Sequence, residues 1–446
     1  MNFKKALLVV PMSASLLLPT SLDVVNAEEH KMPQTQTEAV ELRSQLDNLF
    51  SEHAYLAVET MRKGAEGAAD FEQAAAALSA NTEDLTAAIE SVYGEGAGKQ
   101  FNEMWSSHIG YFVDYVKATG NEDEEAKEMA LDELNQYRQD FSKFISDATG
   151  NRLKADALAE GLQMHVNQLI RAFDAYVAGN YEEAYMKERE AIEHMYGVSK
   201  GMSSAIVNQF PDKFNNTKAV TPAADLRSNL NHLLSEHVGL ATMAMQNGLD
   251  GSEDFEASAK ALSNNTEDLT KAITSIFGEE AGSQFNDIWT QHINDFVSYV
   301  KATANEDETK QEEAMKALED YRETFAKFLE QGTKGELTAE KLAPSLQQHA
   351  DYVFNTFDQY AVEDYEKTYM TLRDSYAHMF GASKALSTGI VAAYPDKFMS
   401  EEMPEEMPDT GLGGTASDHN IWLYASILAA IAATGIFLRR QSKQQQ

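Results

Sequence analysis

Apolar and aromatic residues recur along this chain at alternating intervals of four and three. Leu42, Leu46, Leu49, His53, Leu56 and Thr60 form one such series. Phe101, Trp105, His108, Phe112 and Tyr115 form a second, and Leu158, Leu162, His165, Leu169 and Tyr176 a third. That spacing places each series on one face of an α-helix. No run alternates with period two and is rich in β-branched residues, so no strand is predicted. The pattern predicts six helices over residues 40–62, 69–93, 97–119, 122–148, 154–177 and 180–208. Asn81, with Asp84 three residues later, reads as an N-cap that breaks the second helix. Gly94 or Gly98 separates the second helix from the third.

The whole pattern then repeats. Leu42 to Phe214 aligns without a gap on Leu226 to Phe398, at a constant offset and with extensive identity. Ser51-Glu52-His53 returns as Ser235-Glu236-His237, Asn81-Thr82-Glu83-Asp84 returns from Asn265, and Pro-Asp-Lys-Phe closes both copies at Phe214 and Phe398. A repeat of this length is one folding unit written twice. The expected fold is all-α, with two tandem antiparallel helical bundles at residues 40–214 and 224–398 joined by a linker at 215–223. A short N-terminal linker at 28–39 and an acidic tether at 399–410 flank them.

Composition narrows the function. The 446 residues carry 36 Lys and Arg against 71 Asp and Glu, a net charge of −35. Such a surface repels polyanions, so a nucleic-acid partner is not expected. There is no cysteine, which removes disulfides, thiolate metal sites and cysteine nucleophiles together. Any metal must be held by nitrogen, oxygen or methionine sulfur. No nucleophile–base pair and no phosphate-binding loop is visible, so the chain is read as non-enzymatic.

The two ends predict where the protein works. Residues 1–27 carry Lys4 and Lys5, an apolar run from Ala6 to Pro19, and Val25-Asn26-Ala27, the layout of a cleavable export signal. Near the other end Met407-Pro408-Asp409-Thr410-Gly411 precedes an apolar stretch at 421–438 and the basic residues Arg439, Arg440 and Lys443. This arrangement over 407–446 resembles the sorting signal of Gram-positive surface proteins, with Met407 where the LPxTG motif has leucine. The resemblance implies that sortase cuts between Thr410 and Gly411 and joins the threonine to peptidoglycan. The membrane would then be met only through the 421–438 helix before sorting, and the mature protein would be displayed in the cell wall.

The candidate chemistry lies in the histidines. Of eleven, four per repeat occupy matched positions: His53, His108, His165 and His194, then His237, His292, His349 and His378. The first three of each set interrupt the apolar stripe of a different helix. Several imidazoles in one apolar interior are costly without partners, and a shared cation would satisfy them together. Neutral imidazole suits zinc or copper, one ion per module. Glu190 and Asp374 stand four residues before the fourth histidine of each set and are candidates to orient it. Met195 and Met379 directly follow it and are candidate thioether neighbours. Glu52 points about 100° away from His53 on a helix and is read as reaching solvent or a neighbouring helix, not the same metal. Tyr137-Arg138 and Tyr321-Arg322 read as packing. Haem held by facing imidazoles is an alternative, as is a structural or adhesive surface protein whose histidines only pack.

Ser51-Glu52-His53, Glu190 to His194-Met195 and Ser199-Lys200, in a module present twice, are similar to helical surface proteins of bacilli that carry the label copper amine oxidase. That label implies copper and a quinone formed from tyrosine in Asn-Tyr-Asp/Glu. Asn180-Tyr181-Glu182 fits the tripeptide, but its counterpart Asp364-Tyr365-Glu366 does not, and no His-x-His pair occurs. Oxidase activity is therefore not expected.

Overall fold

Each apolar stripe folds as a helix, because one face must be removed from water and the 3.6-residue period supplies that face. The computed structural model describes residues 32–399. The first repeat contains α1 (Glu38–Glu66), α2 (Phe71–Tyr93), α3 (Glu95–Gly120), α4 (Glu124–Ala148), α5 (Ala155–Val177) and α6 (Tyr181–Gln209). The second contains α7 (Pro222–Asp250), α8 (Phe255–Phe277), α9 (Glu279–Ala304), α10 (Glu308–Gly332), α11 (Ala339–Ala361) and α12 (Tyr365–Ala393). Among the described residues there is no strand, and no helix is long and apolar enough to cross a membrane. The expected export signal, the sorting motif and the 421–438 helix lie outside the described residues.

Local chemistry sets the helix ends. Thr37 caps α1 by accepting from Val40 N (3.3 Å) and Thr221 caps α7 by accepting from Ala224 N (3.1 Å), with Pro222 at the first helical position. Asp123 and Asp307 cap α4 and α10 in the same way. The turn between α2 and α3 falls at Gly94, and that between α8 and α9 at Gly278, with φ of +88° and +94°. Only glycine adopts this backbone freely.

One expectation is corrected. The second helix runs unbroken through Asn81, which is fully buried at mid-helix. Its Nδ2 donates to Leu49 O (3.0 Å) and Glu52 Oε2 (2.7 Å) on α1. Asn265 does the same to Leu233 O (2.9 Å) and Glu236 Oε2 (2.8 Å) on α7. A buried amide with acceptors on the neighbouring helix has no reason to end its own.

Within each repeat the first helix packs along the sixth, α1 on α6 and α7 on α12. The same two helices also meet the other repeat, so α1 and α7 are buried on nearly every side. The contacts across this interface are reciprocal. Arg43 pairs with Asp225 and Arg227 with Glu41. Arg189 grips Glu236 through Nε and Nη2 (3.0 and 2.9 Å), and Arg373 grips Glu52 through the same atoms (3.0 Å each). Tyr185 donates to Asp254 and Tyr369 to Asp70. Each pair is the other with the repeats exchanged, as in an isologous two-fold interface. Of the two directions its position beside His53 leaves open, solvent or a neighbouring helix, Glu52 takes the second.

Candidate metal centre

Three long helices in each repeat carry one inward histidine near their middles. In the second repeat these are His237 on α7, His292 on α9 and His349 on α11. One ligand atom from each lies within 4.8 Å of the other two. Their ring centroids are 6.0 to 6.2 Å apart. In the first repeat His53 on α1 stands 5.4 Å from His108 on α3 and 6.0 Å from His165 on α5, centroid to centroid.

The rings are short of partners. His53, His108, His165, His237 and His292 are all buried. Both nitrogens of His53 and His165, and Nδ1 of His108, His237, His292 and His349, find no hydrogen-bond partner. Burial lowers their proton affinity: His108 and His349 fall to about 3 and His237 to about 4. His53, His165 and His292 are pushed down by burial first and by the neighbouring imidazoles second. The rings are therefore neutral at ordinary pH, with lone pairs free to ligate.

Aromatic residues fix the orientation of the rings. Trp105 touches both His53 and His108 at 4.7 Å, and Trp289 sits 4.9 Å from His237. Tyr137 stacks on His108 (4.8 Å, 14°) and Tyr321 on His292 (4.3 Å, 18°). These tyrosines form one wall of each histidine cluster, a role the dipeptides Tyr137-Arg138 and Tyr321-Arg322 do not disclose. The signal available was their spacing from Phe141 and Phe325, which places each tyrosine on the inward face.

The fourth histidine of each set stands apart from the trio. His194 Nε2 donates to Gly161 O (3.0 Å), and His378 Nε2 donates to Ser345 O (3.0 Å). His194 remains near His165, ring over ring at 6.5 Å. The neighbours expected to orient it are otherwise placed: Glu190 is held by Lys187, whose Nζ reaches both carboxylate oxygens at 2.9 Å, and Asp374 is exposed. Met195 and Met379 are buried in the core.

Two cavities adjoin the clusters. One of about 40 Å³ is lined by His237, His292 and His349 with Met245, Phe296 and Val353. A larger one of about 270 Å³ in the first repeat is lined by His108, His165 and His194 among aromatic and aliphatic side chains. The chain matches no protein-family model, no curated protein and no solved structure.

Proposed function

We propose that this is an exported, non-catalytic surface protein that holds a transition metal, copper or zinc, through buried imidazoles for capture or buffering at the cell envelope. The observation that carries the metal reading is the trio His237, His292 and His349, with one ligand atom of each within 4.8 Å of the others. Three neutral imidazoles and one open position suit zinc or copper(II). Donor nitrogens around zinc lie roughly 3.4 Å apart, so binding asks a contraction on the order of 1 Å, within reach of ring rotation. The small cavity beside the trio leaves room for a water or other fourth ligand.

Repeat symmetry makes His53, His108 and His165 the second site. His108 and His165 flank the larger cavity, so this trio is expected to close less readily and to fill after the first. His194 and His378 are spent on carbonyls and are not needed as ligands. The export signal and Met407-Pro408-Asp409-Thr410-Gly411 support display in a Gram-positive cell wall through sortase and peptidoglycan.

The test is elemental analysis of the tag-free mature chain after equilibration with limiting copper and zinc. One ion per chain should be retained tightly and a second more weakly. His292→Gln should abolish the tight ion, while His378→Gln should leave it in place. Full retention in His292→Gln would sink the reading.

A further inference from the structure

The two repeats differ in several of the residues that surround one cavity of the first. The cavity of about 270 Å³ lies among α3, α4, α5 and α6 of the first repeat. Its walls include Phe101, Trp105, Phe141, Leu158, Val198 and Met202, and it reaches the surface beside the exposed Lys154 and Ala157. Gly161 on α5 and Gly201 on α6 also line it. A Cβ on Gly161 would stand 4.0 Å from His194 Nε2, and one on Gly201 would stand 3.8 Å from Leu153 Cδ2. Both are ordinary contacts, so close packing does not demand glycine at either position. Glycine inside a helix is nevertheless unfavourable by about 1 kcal/mol against alanine. The counterparts in the second repeat are Ser345 and Ala385, and the Ser345 hydroxyl lies 3.3 Å from His378 Nε2.

We propose that the first repeat is a receptor for a small aromatic molecule of about two fused rings carrying at least one hydroxyl or N–H group. The size follows from the volume: an apolar cavity of about 150 Å³ accepts benzene, so one of about 270 Å³ accepts a naphthalene-sized ring system. The apolar lining excludes a sugar or a nucleotide, whose polar groups would go unpaired. The polar group is anchored by His165, which is 4 % exposed, lines the cavity and has neither ring nitrogen partnered; Trp105 Nε1, His108 Nδ1 and Tyr137 Oη, also without partners, lie on the same walls. A neutral imidazole offers one acceptor and one donor. A ligand hydroxyl answers either, and an N–H answers the acceptor. Aromatic walls favour a flat ring system over a branched aliphatic one.

Isothermal titration of the metal-free chain with 2-naphthol and with naphthalene tests this directly. One equivalent of 2-naphthol should bind, at least tenfold tighter than naphthalene. Gly201→Leu, which fills the cavity, and His165→Phe, which removes the polar partner, should each weaken 2-naphthol tenfold or more. His349→Phe in the second repeat should leave it unchanged. Circular dichroism melts establish that each variant is folded, and Val198→Phe replaces Gly201→Leu if that variant is not. Absence of saturable binding, or equal binding by folded Gly201→Leu and Val198→Phe, overturns the proposal. So does a Soret band with haemin that is lost in His165→Phe and displaces 2-naphthol, since the occupant would then be a macrocycle. The metal reading is tested separately at His292, so either can fail alone.

Discussion

Tyr55 and Gly239 occupy the same position in the two repeats and meet each other across the interface between α1 and α7. A Cβ on Gly239 would fall 2.9 Å from Tyr55 Cε2 and 3.0 Å from Cδ2. Where two copies of one helix cross at a symmetry axis, a residue faces its own counterpart, and two tyrosines would collide there. The duplicated chain resolves this by making one a knob and the other a hole, which two identical single repeats would lack. Gly239→Ala should therefore destabilise the protein by about 1–3 kcal/mol through overpacking. Tyr55→Leu should recover part of that loss in the double variant, a coupling read from chemical denaturation of the four proteins in a mutant cycle. Strict additivity would mean that the two residues do not share the strain.

The reciprocal arginine clasps offer a second test. Glu236 is 1 % exposed, and its side chain accepts from Arg189 and from Asn265. Burial alone would raise its proton affinity, but Arg189 and His232 hold it well below the usual carboxylate range. Arg189→Ala leaves that carboxylate buried without its main partner and should lower stability by about 3 kcal/mol, the lower end for a broken buried pair because Arg189 is itself partly exposed. Adding Glu236→Gln should restore some of the loss by removing the stranded charge. A melting temperature unchanged in Arg189→Ala would show that Asn265 and His232 suffice.

Acid should unfold the metal-free protein early. The buried histidines have proton affinities lowered in the fold, to about 3 for His108 and His349 and about 4 for His237. In the unfolded chain they titrate near pH 6.5, so below that pH the unfolded state binds more protons than the folded one. Stability is then fully present above pH 6.5 and falls as pH drops toward 4, by roughly 1.4 kcal/mol per histidine per pH unit. The depressed Glu236 adds to the loss further down, below about pH 4.5. Denaturant midpoints should hold between pH 7.5 and about 6.5 and then fall steadily to pH 4.5, and a profile flat throughout would mean that the imidazoles are not buried and neutral.

Wall attachment through Met407-Pro408-Asp409-Thr410-Gly411 predicts that Thr410→Ala shifts the protein from the muramidase-released fraction to the membrane and medium. Fractionation and immunoblotting read this out. Continued covalent linkage to peptidoglycan would place the junction elsewhere.

The sequence by itself determined the all-helical class, the duplication and the inward face of each helix. The first and third follow from periodicity, a local property that backbone hydrogen bonding converts directly into helices, and the duplication follows from identity at a constant offset. It also marked the eight matched histidines, six because a titratable ring inside an apolar stripe is conspicuous and His194 and His378 because they recur at matched positions. It misread Asn81, since a cap and a buried interhelical amide use the same residue and differ only in what lies opposite. Tertiary structure alone decided which three histidines converge, because convergence depends on the crossing of helices far apart in the chain. It alone turned His194 and His378 to carbonyls on α5 and α11. It also buried the second face of α1 and α7, where Glu52 and Glu236 have no visible partner until Arg373 and Arg189 arrive from the last helix of the other repeat. A stripe shows where a helix is dry on one side; only the packed molecule shows what covers the other.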